Sequence, residues 1–204
     1  MMLNLRVRGP FAAFRMFTAG AYRPSAPFLT PSAAYGLLLN IAGMEMRHDD
    51  GTSEMTLIAD NLPTIEIALG EVSPPGRSNL FQQLHAYPVS EKTRRARLSE
   101  SGAKATVQPA RRELLVGLDV CVSVRGPEEL ETRIRDGLRL GTAFQPEGHP
   151  RYGLPFLGDN SFLPSHLDEV EAPPAAHWYR KVERSAAIGA ADVCLLTVWI
   201  DRKS

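Results

Sequence analysis

Leu3, Leu5 and Val7 alternate with Asn4, Arg6 and Arg8, so the chain opens on a half-buried strand with arginines on its other face. Gly9-Pro10 is expected to end it. A helix follows over about 31–42: Thr30 is placed to cap it, Pro31 takes the first helical position, and Gly43 stands where a left-handed residue closes a helix. "SEMTLIA" (53–59) and "TIEIALG" (64–70) read as strands around Asn61-Leu62-Pro63, and 71–90 reads as loop. A basic hairpin is expected next, turning near Ser101-Gly102. "ELLVGLDVCVSV" (113–124) is a long apolar strand, and "PEELETRIRDGL" (127–138) is a helix with acids in its first turn. Residues 139–180 read as mostly loop, and "ADVCLLTVWI" (191–200) as a closing buried strand. Stripped of insertions, the order is β-α-β-β-α-β, an α+β, ferredoxin-like arrangement also used by RRM-type RNA binders. The four residues "VRGP" recur at Val7–Pro10 and Val124–Pro127, each expected at a strand end, as a two-fold βαβ repeat would place them.

A chain of 204 residues with 44% hydrophobic and 23% charged residues can bury one sizeable core. Sixteen prolines and sixteen glycines point to many loops between short elements. Cys121 and Cys194 both sit in apolar, strand-like runs, where a reduced thiol behaves as a small hydrophobe, and a cytoplasmic location is expected. The longest apolar run, "AAYGLLLNIAGM", is too short to span a bilayer, and the N-terminus lacks the continuous apolar segment of a signal peptide.

Net charge is +0, yet its distribution is uneven. Arg6, Arg8, Arg15 and Arg23 all precede the first acid, Glu45. Over 91–112, Lys92, Arg94, Arg95, Arg97, Lys104, Arg111 and Arg112 stand against only Glu91 and Glu100. Solvated charged faces normally mix signs, so these two tracts point to a phosphate-binding surface. Phe11, Phe14, Tyr22 and Phe28 interleave with the first tract; they can stack on unpaired bases or pack in the core. The candidate RNA-binding residues are Arg8, Arg15, Tyr22, Arg23, Ser25, Thr30 and Ser32, together with Arg94, Arg95, Arg97, Lys104, Arg111 and Arg112.

The five histidines show no close pairing and no metal-ligand spacing, and neither a phosphate-cradling "GxxxxGK[ST]" nor a hydrolase "GxSxG" occurs. No metal or cofactor is implied. The alternative to simple binding is metal-independent RNA cleavage, which needs only proton-handling groups at the 2′-hydroxyl and the leaving oxygen; Tyr22, Tyr35, His85 and Lys104 are of the right types.

The stretch "LRVRGPFAAFR…YRPSAPFLTPSAAYGLLLNIAG" resembles the N-terminal signature of the fifth CRISPR-associated protein family, and "ARRELLVGLDVCVSV" and "GLPFLGDNSFL" resemble its middle strand and C-terminal loop. The resemblance implies a single RAMP-type domain over 1–204, with a ferredoxin-like core and a protruding basic hairpin, the thumb, at about 79–112. It implies a subunit of a type I Cascade complex that caps the 5′ handle of the crRNA, contacts the large subunit and the first backbone subunit, and meets target DNA through the assembled complex. In most type I systems this subunit is not a nuclease. In one subtype it cuts the repeat RNA itself.

Overall fold

The computed structural model describes residues 2–16, 18, 21–52, 56–85, 107–139, 154–182, 193, 194 and 196. They form a mixed α+β structure, a mostly antiparallel sheet with two helices. In chain order the elements are β1 (Leu3–Ala12), β2 (Tyr22–Arg23), α1 (Pro31–Ile41), β3 (Arg47–His48), β4 (Leu57–Ile58), β5 (Glu66–Ser73) and β6 (Gly76–His85). Then come β7 (Val107–Arg125), α2 (Glu128–Arg139), β8 (His166–Glu169) and β9 (His177–Trp178).

The long strand β7 organises the sheet. Its second half lies between β1 and β5, antiparallel to both, and the path across runs β8-β1-β7-β5-β9. The N-terminal alternation decides which face is buried: Leu3, Leu5 and Val7 are fully buried and oppose Val124, Val122 and Val120 in register. Leu37, Leu38 and Ile41 of α1 and Leu130 and Ile134 of α2 belong to the same core.

The helix ends follow the sequence signals. The Thr30 hydroxyl accepts from the Ala33 N–H (3.2 Å), and Pro31 begins α1. At the other end Gly43 has φ 64°, its N–H donates to Asn40 O and that of Met44 to Leu39 O, the paired closure of a Schellman motif. α2 carries Glu128, Glu129 and Glu131 in its first turn and Arg139 in its last, both favourable to the helix dipole.

Four expectations need correction. β1 does not end at Gly9-Pro10 but runs to Ala12. The register passes from Gly9–Leu118 to Phe11–Val116, leaving Pro10 opposite Gly117 at φ 70°, an irregularity that needs no N–H from the proline. The first "VRGP" is therefore mid-strand, and only the second, after Arg125, closes one. Residues 71–85 are not loop: β5 continues to Ser73, and β6 pairs with β7 without interruption from Gly76–Val116 to His85–Val107. Of "SEMTLIA", strand is confined to Leu57–Ile58, paired with Arg47–His48 outside the main sheet, while residues 53–55 lie outside the described set. The described part of 139–180 is mostly loop, as expected, with the short strands β8 and β9 added at the two sides of the sheet. Most of "ADVCLLTVWI" lies outside the described residues; of those described, Val193 is exposed, Cys194 is half-buried and Leu196 is half-buried against the core, and both cysteines are free.

Candidate nucleic-acid interface

Of the four N-terminal arginines only Arg6 has a counter-charge among the described residues, and it comes from later in the chain. Arg6 binds Asp119 of β7 with two hydrogen bonds, Nε to Oδ1 at 3.0 Å and Nη2 to Oδ2 at 2.7 Å. Those bonds first, and the Asp119 charge second, raise the Arg6 pKa further. Arg6 is thus a cross-strand structural cation. Arg8 is half-buried. Its carbonyl accepts from Ser165, and its Nε is buried with no hydrogen-bond partner among the described residues.

After β1 the chain folds back along the outer half of β7. Arg15 forms an isolated bridge with Ser25. Residues 21–25 run parallel to β7: the Arg111 N–H donates to Ala21 O (2.9 Å), Tyr22 pairs with Arg111, and Arg23 with Arg112. Ser25 fastens this segment. Its N–H donates to the buried Glu113 (3.1 Å), and its hydroxyl accepts from the Phe14 N–H (3.0 Å) and donates to Ala26 O (3.0 Å). The two basic tracts of the sequence therefore meet, side by side, on one stretch of β7.

Alternation along β7 sends Arg111 and Arg112 to opposite faces. Arg111 is exposed, and its guanidinium carbon lies 5.9 Å from the centre of the Tyr22 ring. On its other side the register places Phe81 of β6 directly opposite. Arg112 instead pairs with Asp159 (2.7 Å) and lies 5.6 Å from the Phe162 ring, which packs against Phe11 at 6.1 Å. Burial works against the Asp159 carboxylate, but the Ser161 N–H and the bond and charge of Arg112 outweigh it, leaving the pKa lowered. Arg15, Arg23 and Arg111 are exposed and make no ion pair among the described residues.

Of the interleaved aromatics, Phe14 and Phe28 are buried in the core, while Phe11 and Tyr22 are exposed. Thr30 is buried as the cap of α1, and Ser32, half-buried, lies 3.3 Å from it, hydroxyl to hydroxyl. Arg94, Arg95, Arg97 and Lys104 lie outside the described residues. Of the groups considered for cleavage, the Tyr35 hydroxyl donates to Pro63 O (2.8 Å) and burial raises its pKa, whereas Tyr22 stands exposed beside Arg111. His85 pairs with Val107 in the backbone ladder, and Lys104 is outside the described residues. No group of three or more candidate metal ligands occurs among the described residues, and no described helix is long and apolar enough to cross a membrane.

Phe81, Phe162 and the three carboxylates Glu113, Asp119 and Asp159 were not singled out by sequence reasoning. Only Phe81 left a local signal, an aromatic in a polar stretch beside a basic tract. The carboxylates are isolated in sequence from the arginines they serve.

This is a mixed α+β protein that gathers exposed arginines and aromatics along one strand of an antiparallel sheet. The chain belongs to the CRISPR-associated protein (Cas_Cas5) family, whose model matches residues 2–177. Its fold is similar to that of a chain solved in a CRISPR RNA-guided surveillance complex, with TM-score 0.52 and 20% identity over 80% of this chain and 60% of that one. A structure solved as a Cas protein matches with TM-score 0.43 and 18% identity over 85% of this chain and 67% of that one. The chain thus spans 60% of the length of the surveillance-complex chain. No curated protein sequence matches it.

Proposed function

We propose that this chain is the non-catalytic RNA-binding subunit of a type I Cascade complex. In this reading it caps the 5′ handle of the crRNA, contacts the large subunit and the first backbone subunit, and meets target DNA only through the assembled complex. Membership of the Cas5 family and the likeness to a surveillance-complex chain support a Cascade role. The observation that carries the RNA reading is the parallel pairing of Tyr22–Arg23 with Arg111–Arg112. It joins two tracts that each concentrate positive charge, and an RNA end needs cations and stacking surfaces in one place. Arg8, Arg15, Arg23 and Arg111 are the leading phosphate ligands among the described residues. Ser25, Thr30 and Ser32 serve this surface chiefly by holding its backbone.

The fold reading goes with it. The order β8-β1-β7-β5, antiparallel throughout, supports a ferredoxin-like core in a single RAMP-type domain. The β6–β7 ladder supports a basic thumb, with Arg94, Arg95, Arg97 and Lys104 beyond its described stem.

The test is titration of the purified protein with its cognate repeat RNA and with a scrambled handle, with and without divalent metal. Tighter binding of the cognate handle and an intact RNA are expected. Site-specific cleavage abolished by substitution at Tyr22, Tyr35 or His85 would establish the endoribonuclease alternative instead.

A further inference from the structure

Tyr22, Arg111 and Phe81 occupy one row across three neighbouring strands, β2, β7 and β6, each paired in register with the next. Directly paired residues project from the same face of a sheet. Tyr22 is 48% exposed and Phe81 80% exposed, so the row is an open aromatic–arginine–aromatic strip and not part of the core. A phenylalanine held this far in solvent on a paired strand contributes little to folding, because almost none of its apolar surface is removed from water.

The charges around the row favour an anionic ligand. The carboxylate two positions along β7, Glu113, is buried and already engaged by the Ser25 N–H and by Arg77 (3.5 Å). Arg111 has no acidic partner among the described residues. The rings offer flat faces to aromatic groups, and the guanidinium between them offers a cation that can meet a phosphate or stack.

We infer that the Tyr22–Arg111–Phe81 row is a stacking platform for the unpaired bases of single-stranded RNA, with Phe81 as a base-stacking residue and Arg111 as its phosphate partner. Strands lie about 4.8 Å apart, so β2 and β6 flank β7 about 10 Å from one another, and unpaired RNA offers the splayed bases that aromatic side chains on such strands can take. Duplex RNA hides its base faces and is a poor ligand for such a row. Stacking on a ring also reads few base edges, so the platform sets affinity for unpaired RNA with little preference among sequences. This rests on the RNA-binding reading above and adds to it a ligand state and a residue outside the basic tracts.

The experiment uses the full chain, with three probes: a short unpaired RNA, the same strand with abasic sites, and a duplex of the same length. Phe81→Ala, Phe81→Leu, Phe81→Trp and Arg111→Ala are compared with wild type. Because Phe81 is so exposed, its variants are expected to melt as wild type does. Phe81→Ala should weaken binding of unpaired RNA about tenfold. It should leave abasic and duplex binding unchanged and leave the salt slope unchanged. Phe81→Trp should restore affinity, and Phe81→Leu, apolar but without a π face, should not. Arg111→Ala should flatten the log–log salt slope by about 0.7. Wild-type affinity in Phe81→Ala or in Phe81→Leu overturns the platform, as does equal loss on duplex and abasic probes. Intact RNA binding in Phe81→Ala with impaired capture of a neighbouring subunit would make Phe81 a protein contact, also overturning it. A wild-type protein that binds none of the probes removes both this inference and the reading beneath it.

Discussion

Arg6 and Asp119 are joined across the β1–β7 ladder by two short hydrogen bonds, so the most obvious cation of the N-terminal strand is committed to the sheet. Its charge is compensated, and its planar donors are used in the geometry guanidinium groups favour. Arg6→Ala should lower the melting temperature, because Asp119 then loses its partner in a part-buried site. The salt dependence of RNA binding should stay as in wild type, whereas Arg111→Ala flattens the slope by about 0.7. Melting curves and titrations at several salt concentrations separate the two. A flatter slope in Arg6→Ala would place Arg6 on the RNA.

Thr30 is predicted to act through the helix it caps. Removing its hydroxyl in Thr30→Ala leaves the Ala33 N–H without that acceptor and should cost about 1 kcal/mol. Thr30→Ser should recover most of it. Chemical denaturation of the three proteins measures this, and equal midpoints would discount the cap.

Gly137 of α2 lies against the Ile41 carbonyl at the end of α1, and a Cβ built there would land on that backbone oxygen. Ala at a helical glycine ordinarily gains about 1 kcal/mol. Here overpacking against backbone, about 1–3 kcal/mol, exceeds that gain. Gly137→Ala should therefore destabilise the protein, measured as a lower denaturation midpoint. A higher midpoint would mean that the two helices separate easily.

Tyr179 stacks on the buried Phe28, ring centres 4.5 Å apart, and its hydroxyl donates to Glu71 (3.4 Å). Burial first, and the Glu71 charge second, push its pKa up to about 12 from the ordinary 10.0. The folded state thus favours neutral tyrosine. Its stabilising contribution is fully present below pH 10 and is lost as pH rises from 10 towards 12. Tyr179→Phe should show a smaller fall in melting temperature across that window than wild type. Parallel alkaline curves for the two proteins would remove Tyr179 as the titrating group.

What could be read in advance followed burial. Leu3, Leu5 and Val7 announce β1 because one face meets the core and the other does not, and Thr30-Pro31 and Gly43 mark α1 because helix ends leave backbone groups that particular residues satisfy. β6 was missed for the converse reason. Arg77, Ser78, Asn79 and Gln83 are exposed, and neither face of the strand lies on the core, so no alternation records its pairing; only β7 makes it a strand. Pro10 misled because proline marks strand ends in isolation, whereas here the register passes it opposite Gly117. At the interface, charge density pointed to the two tracts, but which arginines stay available depended on Asp119 and Asp159, distant carboxylates with no local pattern. The residues beside Arg111 are likewise set by strand register, which joins positions that composition cannot relate.

The seam between β2 and β7 also has a kinetic side. Tyr22 and Arg111 come from opposite halves of the chain, and parallel pairing between them closes a long loop before any contact rewards it. A nascent chain released before β7 is synthesised has β1 and α1 but no partner for either edge, and its arginines face nothing that orders them. The face that carries Tyr22 and Arg111 therefore matures late, after the central strand has docked. On the function proposed above, premature engagement of RNA by the unfinished basic segment is a hazard that synthesis order cannot remove.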